Sequence, residues 1–269
     1  MLSIKDLKVW LRSGSVRFMR DSRPSAITPA ACLSLLMWNG HPVYYRPGTS
    51  DPHVIHSILL KSGRKAEYYV SDCICPKTIL DIGGNIGAAA LYFAKVWPQA
   101  TIHSFEPIPG NFELLAKNIV PYPGIHGHNI ALGSKNGMIE LIESPGKGNH
   151  GGFSIYQRSA TAECQKIQVQ CRNIADILDE IGIAIPDLIK VDTEGAEFTI
   201  LTAIPQAKLA RVPWIIGELH GENDFELLHY LHQWFDIGMK KSLSSPLFNF
   251  VARNRDRSII AHVSDCTRQ

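Results

Sequence analysis

The sequence lacks any run of about 18 apolar residues, so no membrane-spanning helix is expected. It carries little net charge: 27 Lys+Arg against 25 Asp+Glu leave +2 over 269 residues. That balance argues against bulk capture of nucleic acid, which relies on many Lys and Arg contacts to phosphate. Cysteine is sparse. The six, at 32, 73, 75, 164, 171 and 266, do not form the dense framework of a small secreted domain. Cys73 and Cys75 also miss the C-x2-C spacing of a zinc site, so free thiols are expected. Repeats and low-complexity tracts are absent. No apolar h-region follows Met1, which points away from a signal peptide and toward a cytoplasmic protein. What is present is a 45% hydrophobic share, enough for one large core or two modest ones.

Residues 1–70 read as a helical lead-in to a second unit, 71–269. Near the start, Leu2, Ile4, Leu7, Val9, Trp10 and Leu11 alternate with Lys5, Lys8 and Arg12. This pattern predicts an amphipathic helix, packed on the domain or in weak contact with a membrane surface. Thr49-Ser50-Asp51-Pro52 reads as a helix start with Asp51 as its cap. From Thr78 onward short apolar strands alternate with helices. Strands are expected at 78–82, 101–105, 125–130, 187–192, 214–219, 237–240, 248–252 and 258–263. Such alternation means an α/β fold, a mostly parallel sheet with helices on both faces. Its ligand site lies at the carboxyl ends of the strands, where strand order reverses. The long segment 133–186 holds the glycine-rich stretch 145–152, a candidate site cover or a plain loop.

Asp81-Ile82-Gly83-Gly84-Asn85-Ile86-Gly87 joins the first of these strands to a helix. A glycine turn there lets a backbone approach a ligand and aims helix N–H groups at it. A dinucleotide fingerprint in this register needs glycines at 83, 85 and 88, but Asn85 and Ala88 break it. Walker A chemistry needs a Gly-Lys-Ser/Thr that is missing. Asp81 suits a cationic ligand better than a pyrophosphate. Glu106 follows Gly87 by 19 residues and ends the next strand, where an acid accepts hydrogen bonds from ribose hydroxyls. The combination fits S-adenosylmethionine, an adenosine with a sulfonium and no phosphate.

Four segments carry a specific resemblance: 81–87, Phe-Glu-Pro-Ile-Pro-Gly-Asn-Phe-Glu-Leu-Leu (105–115), Asn-Ile-Ala-Leu-Gly (129–133) and Asp-Leu-Ile-Lys-Val-Asp-Thr-Glu-Gly-Ala-Glu (187–197). Together, and in this order, they resemble the FkbM family of S-adenosylmethionine-dependent methyltransferases. Arg46 to Asp51 also resembles a segment ahead of that domain. Gly84 stands where the family usually has Ala, and Thr193 where it usually has a branched apolar residue. The resemblance implies a doubly wound, seven-stranded Rossmann-like methyltransferase sheet. It also implies O-methylation of a hydroxylated small-molecule acceptor such as a sugar, glycoside or polyketide. Carried over by position, Asp81, Gly83, Gly84, Asn85 and Gly87 hold the methionine end of the cofactor and Glu106 the ribose. Asn129 lies near the adenine, and Asp192 faces the amino-acid portion or the acceptor.

A protonated hydroxyl is a poor nucleophile, so a base or metal is expected. The ends of the strands at 187–192 and 214–219 gather Asp192, Glu194, Glu197, Glu218 and His220. His220 is the first choice of base, since its ordinary pKa of about 6.5 suits neutral pH; Asp192 and Glu194 follow. Glu197 is explained by its place in a first helical turn. Arg46, Asp51, Ser154 and Glu218 are candidates for the acceptor side. Spacing does not demand a metal at Asp192, Glu218 and His220, and none is assigned. The alternatives are N-methylation of an amine, a non-catalytic S-adenosylmethionine-binding protein and, already weakened by its glycine register, a Rossmann oxidoreductase.

Overall fold

A computed structural model describes residues 3–23, 32–70, 74–143, 153–154, 166–220, 223–241 and 247–264. Seven strands form the central sheet: β1 (Thr78–Ile82), β2 (Thr101–Phe105), β3 (Ile125–His128), β4 (Leu188–Val191), β5 (Trp214–Leu219), β6 (Phe235–Lys241) and β7 (Phe248–Asn254). They lie in the order β6-β7-β5-β4-β1-β2-β3. β1 to β5 pair in parallel, while β7 runs antiparallel to both β5 and β6. The doubly wound, mostly parallel sheet is therefore present. Its strand order reverses between β1 and β4, which places the ligand crevice there.

Period-two side-chain direction divides the core between the two faces. Ile79, Ile102, Leu188 and Ile216 pack with the helices Ala88–Val96 and Pro109–Ile119. Leu80, Phe105, Ile189 and Ile215 pack on the opposite face with Ile177, Leu201 and Leu227. The lead-in has no core of its own. Phe18, Leu36, Val43, Tyr45 and Ile55 join the first cluster.

The lead-in is less helical than expected. Besides the helices Ile4–Ser13, Val16–Asp21 and Asp51–Ile58 it contains the hairpin Ser34–Trp38/His41–Tyr45. Asn39 and Gly40 turn the hairpin with φ of 52° and 82°, the double positive φ of a two-residue hairpin turn. In the first helix Val9 is buried, while Ile4, Leu7 and Leu11 are exposed. Asn118 ties the hairpin down. Its Oδ1 accepts from the Tyr44 N–H at 2.7 Å and its Nδ2 donates to the Tyr44 and Ile86 carbonyls.

Other expectations also change. Residues 257–264 form a helix, not a strand. Asp256 accepts from the Ser258 N–H and hydroxyl at its start, and Ile260 and Val263 bury one helical face. The segment after β3 contributes a second sheet, in the order Ala131–Gly133, Lys166–Asn173, Gly137–Glu143, Phe153–Ser154. The glycine-rich stretch 145–152 lies outside the described residues. Cys75 is disulfide-bonded, contrary to the free thiol expected, whereas Cys32 and Cys171 are free. Among the described residues no helix is long and apolar enough to cross a membrane.

Asp51 does not cap its helix; Ser50 holds that position, without a side-chain bond. The buried Asp51 carboxylate instead accepts from Arg46 three times, from its backbone N–H at 2.9 Å and from Nε and Nη2 at 2.8 Å. Breaking such a pair leaves a partly buried guanidinium unmatched, so Asp51→Ala should lower stability by about 3 kcal/mol or more. Denaturant unfolding monitored by circular dichroism tests this. A loss under about 1 kcal/mol would mean that the pair is only a surface contact.

Candidate active site

At the end of β1 the chain turns at Gly83, with φ of 81°. A Cβ on Gly83 would stand 1.8 Å from the Asp192 carbonyl oxygen, and one on Gly84 would stand 2.3 Å from Ser104 Oγ. These two glycines are required by the approach of neighbouring chain segments rather than by room for a ligand. Both donate their N–H to the Phe105 carbonyl, at 3.0 and 2.9 Å. Gly87 starts the helix Ala88–Val96 in a left-handed conformation.

Beneath this loop lies a polar row that the sequence reading did not single out. Ser104, Asp81 and Lys190 occupy matched positions on β2, β1 and β4. The Ser104 hydroxyl donates to Asp81 Oδ2 at 2.7 Å, and Lys190 Nζ lies 3.2 Å from Asp81 Oδ1. Lys190 also donates to the Gly83 and Ile82 carbonyls, at 2.6 and 3.2 Å. It lies under the Tyr68 ring and 3.9 Å from Asp192 Oδ2. Burial pulls its pKa down, but Asp81 and Asp192 more than restore it, so the net shift is upward. A lysine inside a strand buried on both faces was the available signal.

Glu106, at the end of β2, is buried. Its Oε2 accepts from the Asn85 N–H at 2.8 Å and its Oε1 from the Ile108 N–H at 2.9 Å. Burial pushes its pKa up to about 7 despite these donors. Asn111 Nδ2 lies 3.5 Å from Glu106 Oε1, and Asn111 Oδ1 accepts from Arg46 at 2.8 Å. Arg46 and Asp51 therefore stand behind Glu106 as the outer part of a chain of contacts.

Asp192, Glu218 and Glu197 converge on His220. Its Nε2 lies 3.5 Å from Asp192 Oδ1 and 3.3 Å from Glu218 Oε2, and its Nδ1 3.3 Å from Glu197 Oε1. Glu197 is fixed in turn by the Thr193 and Gly195 N–H groups. Burial alone would lower the His220 pKa, but Glu197, Glu218 and Asp192 outweigh it and raise it to about 11. An imidazolium has no lone pair with which to take a proton, so this setting weighs against His220 as the base. Asp192 also accepts from the Tyr68 hydroxyl at 2.6 Å. Burial raises the Asp192 pKa, but Lys190 and His220 hold the carboxyl below its ordinary value.

A cavity of about 660 Å³ runs over these groups. Of the expected site residues, Gly83, Gly84, Asn85, Glu106, Asp192, Glu194 and Glu218 line it. Asp81, Gly87, Asn129, His220, Arg46 and Asp51 stand outside its lining. Asp81 is committed to Lys190 and Ser104. Asn129 donates to the Glu106 and Pro107 carbonyls and so braces the loop. Ser154 pairs through its backbone with Ile142 in the second sheet. Sequence reading missed the apolar wall of Ile108, Ile130, Leu132, Ile139 and Leu141, because much of it comes from the unrecognised second sheet.

The His220 pKa, raised from 6.5 to about 11, implies stability that is full below pH 6.5 and lost as pH rises toward 11. The difference in unfolding free energy between the wild type and His220→Gln should therefore shrink across that range. Parallel denaturant titrations from pH 6 to 10 measure it; a constant difference would mean that His220 is neutral in the fold.

Residues 81–245 match the family model described as the methyltransferase FkbM domain. Methyltransferase 1 of Beauveria bassiana is 28% identical over 160 residues, covering 52% of this chain and 64% of that protein. The 2-O-methyltransferase NoeI of Sinorhizobium fredii is 31% identical over 134 residues, covering 46% of this chain and 55% of that protein. The 31-O-demethyl-FK506 methyltransferase FkbM of Streptomyces tacrolimicus is 25% identical over 171 residues, covering 53% and 65%. The chain thus spans less than two thirds of the length of each of these relatives. With more than half its length inside the family model, the chain belongs to the FkbM-domain methyltransferases.

Proposed function

We propose that this methyltransferase uses S-adenosylmethionine to methylate a hydroxyl of a small acceptor, a sugar, glycoside or polyketide-type molecule. The observation that carries the reading is Glu106, a buried carboxylate at the end of β2 that lines the same cavity as Asp192, Glu194 and Glu218. The relatives named for 2-O- and 31-O-methyl transfer support oxygen as the acceptor atom. The exposed stripe of Ile4, Leu7 and Leu11 beside Lys5 and Lys8 fits weak contact with a membrane surface.

The residues present fit the cofactor. Asn85 Oδ1 is buried without a hydrogen-bond partner among the described residues and suits an ammonium donor. Glu106 keeps lone pairs for ribose hydroxyls beyond its two N–H contacts. Ile108, Ile130 and Leu132 offer an apolar wall for a flat base. When bound, S-adenosylmethionine supplies an electrophilic methyl on sulfur.

The acceptor hydroxyl must then lose its proton. Asp192 has both oxygens engaged, by Tyr68 and Lys190 on one side and His220 on the other. Glu218 faces His220 through Oε2, and we assign it the proton, with Glu194 beside it on the same cavity wall. His220 positions Glu218 and Asp192 as a fixed cation behind them.

Calorimetry with S-adenosylmethionine and its demethylated product tests the first step; folded protein that binds neither overturns the reading. Transfer of labelled methyl to a panel of sugars and polyketide alcohols tests the second. Glu218→Gln should lower kcat by about 10²-fold or more, with affinity for the demethylated product kept; an unchanged kcat removes Glu218 from the role. Ribose hydroxyls donate to an ionised carboxylate, so cofactor affinity should rise as pH increases through about 7. It should fall about tenfold per unit below that. Glu106→Gln should bind weakly and without this dependence. A wild-type Kd that is flat from pH 5.5 to 8.5 would sink the assignment of Glu106.

A further inference from the structure

The cavity is lined by charges of both signs. Toward the strand ends its walls carry Glu106, Asp192, Glu194 and Glu218. The same lining carries Arg12, Lys61, Arg64 and Lys65 from the lead-in, joined by Lys240 from β6. One contact joins two of these cations, and another holds Arg12 on the helix Asp51–Ile58. Lys240 Nζ donates to the Arg64 carbonyl at 2.7 Å, and Arg12 Nη1 lies 3.1 Å from His56 Nε2. Among the described residues none of the five is in an ion pair. Glu67 is the one acid that the described lead-in residues add to the wall, and burial pushes its carboxyl up, toward the uncharged form.

The field of this group is felt locally. His56 is held down at about 4, by burial first and then by Arg12 and Lys61. His53, which lines the same wall, is lowered by burial, Lys5 and Lys61 and feels Glu218 in the opposite sense. His53 thus feels cations and an acid of this lining at once. Four of the five cations belong to the lead-in, outside the segment matched by the family model.

We propose that this wall is an anion subsite and that the molecule methylated here carries a carboxylate or phosphate beside its reacting hydroxyl, as an acidic monosaccharide unit does. The word acceptor rests on the methyl-transfer reading above; the anion site itself does not. Unpaired cations on a concave wall draw in an anion and position it, and added salt weakens both effects. The sulfonium and ammonium of the cofactor would meet the carboxylates, and the anion the cations. One cavity thus holds two ligands of opposite charge.

Calorimetric titration with glucuronic acid, glucose 6-phosphate and glucose, each into protein with and without the demethylated cofactor product, tests the proposal. At least one anionic sugar should bind about tenfold tighter than glucose, and 0.5 M NaCl should remove the difference. The glucuronic acid and phosphate arms show which anion the wall prefers. The triple variant Lys61→Gln/Arg64→Gln/Lys65→Gln should lose the preference. Lys95→Gln, whose ammonium lies over Trp38, should keep it. Anionic sugars that bind no better than glucose, including no binding of any of the three, overturn the proposal. So does a folded triple variant with wild-type preference. Failure of the cofactor product to bind, with the anion preference intact in cofactor-free protein, would instead strike the cofactor reading and leave this one standing.

Discussion

The site depends on one buried ion pair, Asp81 with Lys190, at the point where strand order reverses. Two charges inside a sheet are costly unless each is matched and hydrogen-bonded. Here Ser104 supplies Asp81 with a hydroxyl, and the carbonyls of Ile82 and Gly83 supply Lys190. The same ammonium therefore fixes the backbone of the glycine loop and lies close to Asp192. Gly83 in turn packs on the Asp192 carbonyl with no space for a Cβ. The loop after β1 and the acid after β4 are thus tied into one unit within the cavity lining.

A second group of charges repeats the arrangement at the neighbouring strand end. His220 stands among Glu197, Glu218 and Asp192 as Lys190 stands between Asp81 and Asp192. Both cations are buried, and both serve the carboxylates in front of them. Asp192 touches both systems, with Tyr68 of the lead-in as a third partner. Preorganised charge of this kind does its work without rearranging during the reaction.

The alternation of strands and helices was legible from the residues because a sheet covered on both faces imposes short apolar strands. The loop 81–87 and Glu106 were legible because a turn and an acid at fixed offset follow from the crevice geometry. The roles behind them were not. Asp81, at the end of β1, and Asn129, just after β3, lie outside the cavity lining, and no spacing rule reports on which side of the chain a side chain falls. His220 was given an ordinary pKa, which holds only in water; three carboxylates that meet through the fold change it. Asn39-Gly40 was a readable hairpin signal, and overlooking it made the lead-in seem more helical than it is. Residues 258–263 read as a strand because Ile259 and Ile260 are adjacent and β-branched, a local preference that Asp256 and the buried Ile260 and Val263 override. Arg46 and Asp51 looked like acceptor ligands because only the fold shows that they are spent on each other.

The contacts from Asp51 through Arg46 and Asn111 to Glu106 have a thermodynamic consequence. The lead-in that carries the cavity's cations also braces Glu106, the carboxylate proposed to hold the ribose. A molecule that orders the lead-in by binding against it would firm the grip on the nucleoside, and the nucleoside would, by reciprocity, tighten the hold on that molecule by the same factor. Exchange of the first 70 residues between relatives would then alter both affinities together, because selectivity and cofactor retention pass through the same few side chains.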